Sequence, residues 1–132
     1  MFKIEYLLDP SSPTDSEPLG DLKICDDQGE IRIENTYIDS WLLSLLQFSS
    51  LPTKEGSANI SILEEPEPIS VEVSNGKIYF FHANALVSGE LSEFSTEISR
   101  AAREFISLIK AKQWDSCNST ISILDDLLRK PL

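Results

Sequence analysis

Residues 33 to 47 read IENTYIDSWLLSLLQ, and two accounts of that stretch compete. Thr36, Tyr37, Asp39, Ser40 and Trp41 crowd together as the parts of a reactive site would. Against that, Ile38, Trp41, Leu42, Leu45 and Leu46 recur at spacings of three and four, the period of a helix with one apolar face. Thr36 followed three residues later by Asp39 is a capping pair, in which the hydroxyl accepts from a first-turn amide and the carboxylate faces the positive helix end. A serine nucleophile needs a histidine base. The only histidine, His82, stands in an aromatic-rich run that has the pattern of a strand. The stretch is read as a helix start with Thr36 as its cap.

Working outward, FKIEYLL at 2 to 8 alternates Phe2, Ile4 and Tyr6 with Lys3 and Glu5, the period of a half-buried strand. DPSSPTDSEPLGD at 9 to 21 holds three prolines, four acids and a glycine and is read as an exposed acidic loop. LKICDDQGEIRIE at 22 to 34 sets Leu22 and Ile24 before a DDQG turn and Ile31 and Ile33 after it, as a hairpin would. A further short strand is expected around Ile60 and Ile62, ended by the acidic, proline-containing EEPEP. In ISVEVSNGKIYFFH, residues 69 to 82, Asn75-Gly76 fits a type I′ turn that pairs Val73 with Ile78 and Val71 with Phe80.

Residues 91 to 112 carry a helical stripe of Leu91, Phe94, Ile98, Ala101, Ala102, Phe105, Leu108 and Ile109. Acids stand near its start and Lys110 and Lys112 near its end, as the helix dipole favours. Trp114, Cys117, Ile121, Leu124 and Leu128 form a second stripe. The expected fold is α+β in one domain, residues 1 to 132, with order βββαβββαα. Sequential hairpins favour antiparallel pairing, so the economical arrangement is a single mostly antiparallel sheet of about six strands with helices packed on one face.

A chain of 132 residues can bury about two thirds of its unfolded surface in one core. Its 41% hydrophobic and 25% charged residues are those of a globular protein. Charge is unevenly placed: residues 1 to 76 contain 15 Asp and Glu against 4 Lys and Arg, whereas residues 77 to 132 contain 7 of each. Such an excess repels phosphate backbones and anionic lipid, which argues against nucleic acid and membrane surface as partners, and it attracts a basic protein. No run approaches the ~20 apolar residues of a membrane span, and the start MFKIEYLLDPSSP lacks the apolar core of a signal peptide. A cytoplasmic location is expected.

Known catalytic patterns are absent. The adjacent acids Asp26-Asp27, Glu64-Glu65 and Asp125-Asp126 fall in turns, loops or a solvated helix face, where nothing sets their pKa values apart for acid and base work. DDQG lacks the ligand spacing of an EF-hand. No Gly-rich phosphate loop, HExxH, GxSxG or paired CxxC occurs, and Cys25 and Cys117 are read as reduced thiols. The chain is therefore expected to be no enzyme and to need no metal or cofactor.

PLGDLKI at 18 to 24 and TYIDSWLLSLL at 36 to 46 resemble stretches of bacterial immunity proteins of contact-dependent growth inhibition and related polymorphic toxin systems. The resemblance implies a cytoplasmic protein that binds one cognate toxin domain and blocks it. Toxin domains that cut nucleic acid are basic, and an acidic inhibitor associates with them faster through electrostatic steering. The partner-binding surface expected from the sequence is Asp9, Asp15, Glu17, Asp21, Asp26, Asp27, Glu30, Glu64, Glu65 and Glu67. The alternative is a small acidic secretion chaperone or adaptor holding a protein client on an exposed apolar surface, with Leu43 and Phe48 as its hints. The sequence specifies no oligomeric state.

Overall fold

The computed structural model describes residues 1–11, 13, 16–52 and 55–129. Within them run β1 (Lys3–Leu8), β2 (Leu19–Cys25), β3 (Glu30–Tyr37), α1 (Ile38–Ser49), β4 (Gly56–Ile60), β5 (Ile69–Ser74), β6 (Lys77–His82), β7 (Ala85–Glu90), α2 (Leu91–Lys112), a 3-10 turn (Asp115–Cys117) and α3 (Asn118–Arg129). The strands form two antiparallel sheets, β1-β2-β3 and β4-β5-β6-β7. The expectation of one six-stranded sheet in the order βββαβββαα is thus overturned: three strands precede α1 and four follow it, before the two remaining helices.

Side chains bond some of the outer backbone groups of β1 and β7, two of the strands at the edges of the sheets. On β1, the outward Ile4 amide donates to Glu97 Oε2 (3.0 Å) and the Ile4 carbonyl accepts from Arg100 Nη2 (2.8 Å), both from α2. On β7, the outward Ser88 amide donates to Asp26 Oδ2 (3.0 Å), which lies in the turn between β2 and β3. An edge whose polar backbone groups are already bonded has no ladder to offer another strand. The strand missing from the sequence reading is β7. Its only buried residue is Val87, and Ala83 in the turn before it has φ 53°, a conformation for which alanine gives no warning.

Elsewhere local sequence and structure agree. Asn75 (φ 55°) and Gly76 (φ 79°) make the turn of the β5–β6 hairpin, and Val71 faces Phe80 while Val73 faces Ile78. Helix α2 buries Phe94, Ile98, Ala101, Ala102, Phe105 and Ile109, and Glu93 Oε1 accepts from the Glu90 amide at its start. One core joins all layers. At its centre Phe2, ahead of β1, stacks on Phe80 of β6 at 5.7 Å, and Phe94 of α2 meets Phe80 edge-on at 5.3 Å. The apolar faces of both sheets are therefore sealed by the same helix.

The cap assigned to Thr36 also needs correction. Strand β3 continues through Tyr37, which is the residue that caps α1 with extended backbone and no side-chain cap bond. Thr36 is fully buried, and its Oγ1 accepts from Trp41 Nε1 at 2.9 Å. A strand that passes into a helix without a loop leaves its last inward hydroxyl to serve the core. The buried indole needs a partner for its N–H, and Thr36 supplies it.

Candidate functional site

The acidic loop between β1 and β2 is held where it passes the start of α1. The Ser16 carbonyl accepts from Trp114 Nε1 and from Ser116 Oγ (2.6 Å), and the Pro18 carbonyl accepts from the Ile38 amide (3.1 Å). Glu17 lies between these two anchors and is exposed. On the other side, the loop between β4 and β5 is tied to α1 where Ser44 Oγ donates to the Ser61 carbonyl (3.1 Å), and Ile62 enters the core. Glu64 follows, exposed.

Between the two loops lies Asp39, only 3% exposed. Its Oδ2 is 3.4 Å from Thr120 Oγ1 of α3, and its Oδ1 is buried with no hydrogen-bond donor among the described residues. Burial, with the nearby charge of Glu17 next and that of Glu64 adding to it, pushes the carboxyl up to about 6, although the Ser40 amide works in the opposite direction. The same surroundings act on Cys117, whose thiol is pushed up to about 11 by burial and then by the Asp39 charge.

The ten acids expected at a binding surface separate into different roles. Glu17 and Glu64 converge on Asp39. Asp26 works inside the fold: its Oδ1 accepts from the Gln28 (2.7 Å) and Gly29 (2.8 Å) amides and its Oδ2 from Ser88. Asp21 accepts from the Asn35 amide (3.0 Å), where Asn35 takes φ 51° at the irregular register between β2 and β3. Asp9 closes a local turn on Ser11, and Asp27 pairs with the Met1 amino group. Glu30 and Glu67 are exposed, Glu65 is half-buried, and Asp15 lies outside the described residues.

The sequence places Asp39 in a helix cap, and no sequence signal marks it as buried. The two apolar hints for a chaperone belong to the core, since Phe48 is buried and Leu43 packs against it. His82 Nδ1 lies 3.3 Å from the Pro68 carbonyl, in keeping with a structural strand residue. Among the described residues no group of three or more His, Cys, Asp or Glu side chains could hold a metal ion, and no helix is long and apolar enough to cross a membrane. No family model, curated protein or solved structure matches the chain.

Proposed function

We propose that this chain is a cytoplasmic, non-enzymatic immunity-type protein that binds and blocks a basic toxin domain acting on nucleic acid, using the acidic surface of its first half. The observation that carries the reading is the buried Asp39 at the start of α1, whose Oδ1 has no donor among the described residues, with the loops that carry Glu17 and Glu64 tied down on either side of it. An acidic excess confined to residues 1 to 76 supplies long-range attraction for a basic partner. Attraction alone does not hold a complex, because exposed ion pairs contribute only about 0.2–1 kcal/mol each. Tight binding needs desolvated anchors. The region has one polar candidate in Asp39 and one apolar candidate in Leu63, fully exposed next to Glu64.

The test is binding kinetics at two salt concentrations against the product of the adjacent gene, with growth protection in cells that express that product. Neutralising rim acids, as in Glu64→Gln with Glu65→Gln, lowers the association rate and flattens its salt dependence under this reading. Binding that ignores salt and every acidic substitution assigns the charge to solubility and overturns the reading.

A further inference from the structure

We propose that the Asp39 carboxyl, rimmed by Glu17 and Glu64, is the seat of one cationic side chain, an arginine or lysine, presented by the basic protein partner. The proposal rests on the binding function just described and adds the position of its anchor. Three observations carry it. Asp39 Oδ1 is buried and has no donor among the described residues. The loops that carry Glu17 and Glu64 are both tied to the fold beside it, through the Ser16 and Pro18 carbonyls on one side and the Ser61 carbonyl on the other, and both carboxyls push the Asp39 carboxyl up. Among the described residues none of the three acids takes part in an ion pair within the chain.

Chemistry selects the occupant. A metal ion needs its ligands within one small sphere, and these residues form no such group. A guanidinium or ammonium distributes its N–H donors outward and can meet one carboxylate directly while others stay several ångströms away. With all three acids ionised, Asp39 is a desolvated charge facing like charges, which costs the fold stability. Below about pH 6 a proton on Asp39 relieves that cost in the free protein; above it, a partner cation relieves it in the complex. Glu17 is exposed at the rim of the seat. Among the described residues Asp39 also meets the Ser40 amide, the Thr120 hydroxyl of α3 and the Cys117 thiol of the 3-10 turn, which is neutral at physiological pH.

The seat therefore exchanges a proton for a cation, and its affinity rises as the pH passes upward through about 6, where Asp39 ionises. The experiment uses the isotope-labelled whole chain and N-acetyl-arginine amide as the probe, with N-acetyl-norleucine amide as the neutral control, followed by NMR at pH 5 and pH 7.5. The expected result is saturable shifts centred on Glu17, Ser40 and Glu64 at pH 7.5, weaker by about tenfold at pH 5 and in Asp39→Asn. The Asp39 carboxyl titration should also move to lower pH when the probe is present. The pair Glu17→Gln with Glu64→Gln leaves the core untouched and should weaken probe binding by roughly threefold to tenfold.

Two outcomes overturn the proposal: probe affinity equal in the parent and in these variants, or shifts spread over Asp9, Asp27, Glu30 and Glu67 with no focus at Asp39. The second leaves an acidic docking surface standing without this anchor. Loss of salt dependence toward the adjacent gene product while the arginine probe still seats at Asp39 fails the functional reading alone.

Discussion

Asp26 and Asp39 are both acids of the first half that fold inward, one in the turn between β2 and β3 and one in the first turn of α1, and their surroundings are opposite. Burial pushes the Asp26 carboxyl up, but the amides of Ser88, Gln28 and Gly29 more than offset it and leave the group below its ordinary value. Burial, with the charges of Glu17 and Glu64 adding to it and the Ser40 amide opposing, pushes Asp39 up to about 6. A carboxylate drawn from water keeps its charge more readily when backbone N–H groups replace the solvent, and gives it up at a higher pH when burial and other acids surround it. The first acid ties the two sheets together; the second is a charge the fold tolerates.

Four measurements can break or sharpen that contrast. The largest effect is expected from Asp26→Ala, which leaves three backbone amides without their acceptor and should cost about 2–4 kcal/mol in denaturant unfolding. A change below about 0.5 kcal/mol would mean that water replaces the carboxylate at no loss and that the tie between the sheets is decorative. Next is Thr36→Ala. It orphans the buried Trp41 N–H and should cost about 1–3 kcal/mol, with a shift in the tryptophan near-ultraviolet signal. An unchanged signal with a loss of helix content would restore the capping role.

Asp39→Asn should act in the opposite direction, raising stability by about 1–2 kcal/mol at pH 7.5, because a desolvated charge becomes a neutral amide able to donate to Glu17. The sign with pH follows from linkage. Between the unfolded value of 3.8 and the folded value of about 6, the folded chain binds more protons at this site, so the Asp39 contribution weakens as pH rises through that window and is gone above it. Asp26 runs the other way: its stabilisation is present above the unfolded value of 3.8 and is lost as pH falls through its lower folded value. Relative to the parent, Asp39→Asn should therefore gain stability as pH rises between about 3.8 and 6, whereas the deficit of Asp26→Ala should be constant above 3.8 and shrink only below it. Parallel curves would remove the distinction between the two acids. Smallest of all, Glu67→Gln, on an exposed loop, should stay within about 0.5 kcal/mol of the parent at every pH.

Much of the local structure was legible because its causes lie within a few residues. The Asn75-Gly76 turn announces itself by positive φ at both positions, and the α2 stripe by its period. The strand β7 was not legible, since a turn with alanine at positive φ and a run with one buried residue resemble a loop. Of the acids marked as a surface, Glu17 and Glu64 reach the candidate site and Asp26 and Asp21 serve the fold. Nothing in composition separates these roles, because each depends on which backbone amide or carboxyl stands opposite.

By itself the sequence determined the helices, the hairpins and an acidic excess confined to the first 76 residues, all consequences of side-chain period, turn chemistry and charge. Only the tertiary structure decided that the strands divide into two sheets and that Asp39 lies desolvated beneath two acidic loops. The bonds that close the sheet edges span 93 residues from Ile4 to Glu97 and 62 from Asp26 to Ser88. The satisfaction of an edge amide and the dielectric around a carboxyl are set by whatever the fold brings into contact, and no stretch of neighbouring residues contains that information.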